Sequence, residues 1–300
     1  MRWEMGRRSQ NIEDRRGMGP GMGGMPRGVR VGSGGGLGLI VIALLGWLVF
    51  GINPLALLQG GGGMMVPDQT TTSRQAPTRP SKQLGTDDKE GQFVSAVLAD
   101  TEDTWTPIFA QQGRRYTEPK LVLYENVVNS ACGMAQSATG PFYCPGDQKV
   151  YLDTAFFDEL AQKFGAPGDF AAAYVIAHEI GHHVQTLLGI TQQVSQYRSR
   201  VSEAQGNQIS VMTELQADCF AGVWAHNAAR ERNLLQEGDI EEGLRAAAAV
   251  GDDKIMKRTQ GYVVPDAFTH GSADQRMRWF MAGLKSGDMN SCDTFNAKQL

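Results

Sequence analysis

The sequence predicts a mainly α domain carrying a small β-sheet, the α+β class, placed behind a single N-terminal transmembrane helix. Three observations carry this. Apolar residues recur at three- and four-residue spacing through most of the second half of the chain. Two short β-like runs, "KLVLYEN" (Lys120 to Asn126) and "KVYLD" (Lys149 to Asp153), lie together in the middle. One uncharged stretch, "LGLIVIALLGWLVFGINPLALL" (Leu37 to Leu58), has about the 20 residues that a helix needs to cross a bilayer.

Elements follow in order. Residues 1–36 are rich in Gly, Met and Arg without an apolar period, so a disordered basic tail is expected there. Arginines on that flank place it in the cytoplasm, with the rest of the chain beyond the membrane, periplasmic or extracellular. A cleaved signal peptide competes, but its apolar core is shorter and its leader briefer. Residues 59–92 read as a flexible linker. From Phe93 the pattern turns helical and ends at Gly113. The two β-like runs flank a loop bracketed by Cys132 and Cys144. A helix follows from about Asp169 to Gly189, a second covers "QISVMTELQADCFAGVWAHNAARERN", and a third "DIEEGLRAAAAVG". The last opens at Ser272, where Ser272 and Gln275 match a capping box, and closes near Gly287.

Composition narrows the function. A net charge of -4 offers no basic face large enough to drive binding to nucleic acid. The four cysteines, Cys132, Cys144, Cys219 and Cys292, are an even set on the exported side, where disulfides form. The turn-bearing loop between the first two suggests pairing Cys132 with Cys144, and Cys219 with Cys292. A Cys-rich metal site is the rival reading, disfavoured because no CxxC spacing occurs.

The chemistry sits in "HEIGHH". Residues four apart on a helix differ by about 40° around its axis, so His178 and His182 project from one face as a two-nitrogen clamp for zinc. Glu179 stands beside the first ligand, where it can reach a zinc-bound water as general base. The surrounding helix is apolar over most of its circumference, so the pair is expected to be buried and in need of partners. In "TELQAD", Glu214 and Asp218 are again four apart, and like charges at that spacing need a compensating cation. Glu214 is assigned as third ligand and Asp218 as acceptor for the outer N–H of a ligand histidine. A metzincin would need Gly and His where Gln185 and Leu188 stand, and the inverted motif would need Glu at Gly181. In "THGSADQR", His270 is the candidate for stabilising the oxyanion, while Arg276 reads more simply as a structural ion pair. His183 and His226 read as ordinary helix-face residues.

Together, "HEIGHH", "ELQAD", "CPGDQKVYLD" and "HGSADQR" resemble the bacterial neutral zinc metallopeptidase family, a gluzincin-like group with an N-terminal membrane helix. The resemblance spans about Phe93 to the C-terminus and the anchor. It implies a zincin-like metallopeptidase domain over 93–300, one zinc ion held by His178, His182 and Glu214, Glu179 as catalytic acid and base, and a peptide or protein substrate. It departs from thermolysin-like enzymes at Thr213, where those have Asn, and from the HtpX-like group at Gly271, where those have Pro. It also implies that "KVYLD" is the edge strand over the cleft. The expectation is therefore a zinc endopeptidase anchored in the bacterial inner membrane. The competing expectation is a tethered module in which zinc is a structural staple.

Overall fold

The computed structural model describes residues 1–17 and 84–300, a mainly helical fold with a small sheet. Eight α-helices are described. Helix α1 (Lys89–Gln111) opens at Asp88, whose carboxylate accepts from the Gly91 N–H at 3.0 Å. After the sheet come α2 (Ala155–Gln162), α3 (Asp169–Leu187) and α4 (Ile190–Arg198). The 30-residue α5 (Glu203–Arg232) starts at a Ser202/Gln205 capping box, and α6 (Asp239–Ala249), α7 (Asp252–Gln260) and α8 (Ala273–Ser286) complete the series.

The core forms where α3, α5, α6 and α8 meet, around Phe170, Tyr174, Phe220, Trp224 and Phe280. Two glycines set how close these helices come. A Cβ on Gly181 of α3 would sit 2.9 Å from the Ala217 carbonyl oxygen of α5, and one on Gly283 of α8 would sit 1.9 Å from the Cys219 carbonyl oxygen. Any larger residue would push those helices apart. The Cys219–Cys292 disulfide ties α5 to the C-terminal segment, and Cys132–Cys144 closes the central loop, as paired from the sequence.

The sheet runs in the order β1 (Ile12–Asp14), β2 (Lys120–Tyr124), β6 (Lys149–Asp153), β5 (Phe142–Cys144), with β5 antiparallel to β6 and the other pairs parallel. Leu121, Leu123, Val150 and Leu152 face the helices. Val122, Tyr124 and Tyr151 face a second cluster with Val128 and Ala135, which belong to a separate hairpin of β3 (Val127–Ser130) and β4 (Gly133–Gln136). Burial on both faces explains why "KLVLY" is nearly continuous in apolar residues.

Three expectations are corrected. First, "KVYLD" is not the edge strand: β6 lies between β2 and β5, because the strand formed by "FYC" takes the outer position. Second, the tail expected over 1–36 is, through Gly17, a built part of the domain. Strand β1 pairs in register with β2, and the Met1 side of the segment joins the core. Arg7 reaches Glu102 at 2.7 Å and Asp103 at 2.9 Å, and the Ser9 hydroxyl donates to Glu102 at 2.6 Å. Of the arginines in that segment, Arg7 is matched to carboxylates of α1 and Arg16 to Asp14 and to Asp88 at the N-cap of α1; the pairings to α1 reach across the chain, and local composition does not show them. The described end of the expected 59–92 linker is likewise helix, from Lys89.

Third, the membrane-anchored architecture is not supported. Among the described residues no helix is long and apolar enough to cross a membrane, and the expected span 37–58 lies outside them. The single-pass topology also meets a direct obstacle. Its one crossing would put residues 12–14 and 120–124 on opposite sides, yet they are hydrogen-bonded neighbours: the Leu121 N–H donates to the Asn11 carbonyl, and the Arg15 N–H to the Leu123 carbonyl, each at 2.8 Å. The inner-membrane location inferred from that anchor falls with it.

Candidate metal centre

Helix α3 is buried along almost its whole length, so polar side chains on it must find partners. Its two motif histidines have ring centroids 4.8 Å apart. His178 directs Nδ1 to Asp218 Oδ1 at 2.8 Å and Nε2 to Glu214 Oε2 at 3.2 Å. His182 directs Nδ1 to Gln185 Oε1 at 2.8 Å and Nε2 to Glu214 Oε1 at 3.5 Å. Each Nδ1 thus has an oxygen partner and each Nε2 faces the Glu214 carboxylate; in the neutral ring that a metal would bind, Nδ1–H donates to that oxygen and Nε2 offers its lone pair. The orientation of the Gln185 amide follows from its Nε2, which donates to the Thr213 carbonyl at 2.7 Å and to Gln216 Oε1 at 3.0 Å.

This arrangement suits a metal ion: the Glu214 carboxylate faces both imidazoles, Oε2 being 3.2 Å from His178 Nε2 and Oε1 3.5 Å from His182 Nε2, near the roughly 3.4 Å between ligands that lie about 2.0 to 2.1 Å from one ion. Ligand atoms of His178, His182 and Glu214 all lie within 4.8 Å of one another. Two imidazoles and a carboxylate are also the donor set that suits zinc. Close approach of α3 and α5 at Gly181 is what lets Glu214 reach across.

Behind the ligands lies a buried network that the sequence shows only in part. Asp218 accepts from His178, from Arg276 Nε at 2.8 Å and Nη2 at 2.9 Å, and from the Tyr174 hydroxyl. Burial works against the Asp218 charge, but Arg276 and His178 outweigh it and hold the carboxyl at about 2. Burial likewise opposes charge on His178, and the Asp218 carboxylate reverses this, raising the imidazole to about 10. Arg276 sits with the ion-paired groups of the core and also forms part of the cavity wall.

Glu179 stays out of the cluster. It is buried, and burial raises its pKa, opposed by the His178 and His182 charges and by a backbone hydrogen bond from Tyr143 in β5. It lines a cavity of about 640 Å³ together with the three ligand residues, His270 and Tyr143. His270 is half-exposed on the rim of that cavity. Its Nδ1 lies 3.1 Å from Asp252 Oδ1, while the N–H groups of Thr269, His270 and Gly271 all donate to Asp252 Oδ2 at 2.7, 2.7 and 3.1 Å. Asp252, the first residue of α7, therefore fixes both the loop and the ring.

Several of these residues escaped sequence reasoning. Gln185 entered only as a residue excluding another motif, and Tyr174 lies on the apolar helix with no spacing that sets it apart. Asp252 lies 18 residues from His270 with no spacing signal to connect them. His183, expected to be an ordinary helix-face residue, is buried: its Nε2 donates to the Thr117 carbonyl at 2.6 Å and its Nδ1 accepts from the Tyr143 hydroxyl at 3.1 Å. Desolvation holds it neutral, near 4. It pins the edge strand whose backbone touches Glu179. His226 packs as expected on a helix face, bonding the Leu284 carbonyl at 2.7 Å.

Two histidines four apart on one helix, a glutamate from a second helix packed against it, and an unligated glutamate beside them define the class of HExxH metal sites closed by glutamate. The chain belongs to the family described as "Putative neutral zinc metallopeptidase", which matches residues 1–295. It is 46% identical over 297 residues to "Uncharacterized protein YpfJ" of Escherichia coli (strain K12), covering 98% of this chain and 99% of the relative. It is 40% identical over 264 residues to "Uncharacterized protein Rv2575" of Mycobacterium tuberculosis (strain ATCC 25618 / H37Rv), covering 84% of this chain and 86% of the relative. No solved structure matches.

Proposed function

We propose that the protein is a zinc-dependent endopeptidase acting on peptide or protein substrates. The observation that carries this is the separation of roles within one cavity: three residues converge at ligand distances while Glu179 lines the same space without joining them. Bound by His178, His182 and Glu214, zinc would supply Lewis acidity toward a water and the scissile carbonyl. Glu179 takes a proton from the attacking water as its oxygen bonds to the carbonyl carbon. It then delivers that proton to the amine as the C–N bond breaks. His270, which lines the same cavity and is oriented by Asp252, would donate to the oxygen that gains negative charge. Asp218 and Gln185 keep the ligand nitrogens aimed. Strand β5 offers its free edge to an extended substrate backbone, the role first expected of "KVYLD".

The competing reading is a zinc-stapled binding module. Structural zinc sites close with four protein ligands, whereas three residues converge here beside a wide cavity. The test uses the full chain, since residues 1–17 are part of the domain. Zinc content and cleavage of a diverse peptide library are measured for the protein and for Glu179→Gln. Cleavage lost in the variant with zinc retained supports the enzyme; zinc in both and cleavage in neither supports the module.

A further inference from the structure

The cavity wall includes Phe164 and Ile255. Phe164 also borders a second groove of about 450 Å³, to which α6 contributes Arg245 and α7 contributes Lys254, Lys257 and Arg258. The Arg258 guanidinium lies 4.7 Å from the centroid of the Phe164 ring and donates to the Lys163 carbonyl at 3.3 Å. No carboxylate among the described residues lines this groove. All four cations are exposed, and among the described residues Arg245, Lys254 and Lys257 form no ion pair. Glu241 and Asp253 stand one turn before Arg245 and Lys257 without pairing with them. Asp253 is engaged instead by the Ala273 N–H at 2.7 Å.

Helix electrostatics account for only part of this. Lys257 and Arg258 occupy the last turn of α7, where cations are favoured. Lys254 is in the first turn of the same helix, where a cation is disfavoured, and Arg245 is inside α6. On a chain of net charge -4, Arg245, Lys254 and Lys257 therefore form a local excess of positive charge with no carboxylate partner among the described residues. Its groove meets the metal-centre cavity across a single ring.

We propose that this basic groove receives acidic side chains of the peptide held in the cleft, so that the enzyme selects substrates bearing Asp or Glu a few residues to one side of the cleaved bond. This rests on the peptidase reading. Exposed ion pairs are each worth a factor of about 1.5 to 5, so several together give roughly tenfold selection.

The experiment reads binding first. Fluorescein-labelled peptides share one apolar centre and carry Glu, Gln or Lys flanks on either side. They are titrated by anisotropy into full-length, zinc-loaded Glu179→Gln protein, with and without Arg245→Glu and Lys257→Glu added. Matched unfolding midpoints establish that the charge-reversed protein is folded. A Glu flank on one side should tighten binding about tenfold over Gln at low salt. That advantage should shrink in 0.5 M NaCl, as expected for a screening length of roughly 4 Å, and disappear on charge reversal. Equal binding of all peptides, or a Glu preference that survives reversal, overturns the proposal. The two readings fail separately. Library cleavage by the unmutated protein without acidic preference removes the groove and keeps the peptidase, whereas Glu-selective binding with no cleavage keeps the acidic-peptide groove and removes the peptidase.

Discussion

Replacing Asp218 by Asn tests whether the buried network behind the ligands holds the centre together. The carboxylate accepts four hydrogen bonds from three residues: Arg276 Nε and Nη2 at 2.8 and 2.9 Å, His178 Nδ1 at 2.8 Å, and the Tyr174 hydroxyl. An amide of the same shape keeps one acceptor oxygen and turns a second N–H donor toward donors. It also leaves the Arg276 charge, only 5% exposed, without its counter-ion. Breaking a buried pair in this way costs about 3 to 5 kcal/mol. For a domain of this size that lowers the unfolding midpoint by roughly 10 °C. Because His178 also loses its orienting acceptor, zinc affinity should fall about 10- to 100-fold. Thermal unfolding of the chelator-treated protein isolates the first effect, and competition with a chromophoric chelator reads the second. Adding Arg276→Gln should restore part of the stability while leaving zinc affinity low. A loss under about 1 kcal/mol in the single variant, or no recovery in the double, would refute the reasoning.

Further expectations concern the residues around the ligands. Gln185→Leu removes the acceptor on His182 Nδ1 and should weaken zinc about tenfold in the same competition assay; unchanged affinity would show that the ring is held without it. Tyr143→Phe leaves His183 Nδ1 buried without its hydroxyl partner, a cost of about 1 to 3 kcal/mol by chemical denaturation, and should raise KM more than it lowers kcat if the edge strand only positions substrate. Asp252→Asn should bring the His270 pKa down toward 6.5, since the Asp252 hydrogen bond is its largest raising cause. The stabilisation from that pair is complete below 6.5 and is lost as pH rises through the raised value. NMR titration of the ring decides it, and an unmoved pKa would mean that other charges set it.

How far the sequence could be read follows from the range of each interaction. The His178, Glu179, His182 spacing and the Glu214, Asp218 spacing are local to single helices, and the three ligand residues they suggested are found converging. Helix ends were legible where a cap is local, as at Ser272. The N-terminal segment was not, because its order comes from Glu102 and β2, roughly a hundred residues away, and composition counts arginines without their partners. Strand order failed for a similar reason. "FYC" is too short to register as a strand by pattern, yet it takes the edge position and displaces "KVYLD" inward. Asp252, Gln185 and His183 act through contacts that no periodicity encodes.

Strand β1 has a practical consequence for anyone handling this chain. Shortening it to begin near residue 60, the usual way to prepare such a domain, would strip a strand from the sheet. The N–H and C=O groups of β2 would then lie open to other chains, an invitation to aggregate. By the same geometry, a protease cutting anywhere between residues 18 and 83 would yield two fragments on a denaturing gel and one particle on a sizing column. The first 17 residues, supplied as a separate peptide, should bind the remainder and restore what truncation removed.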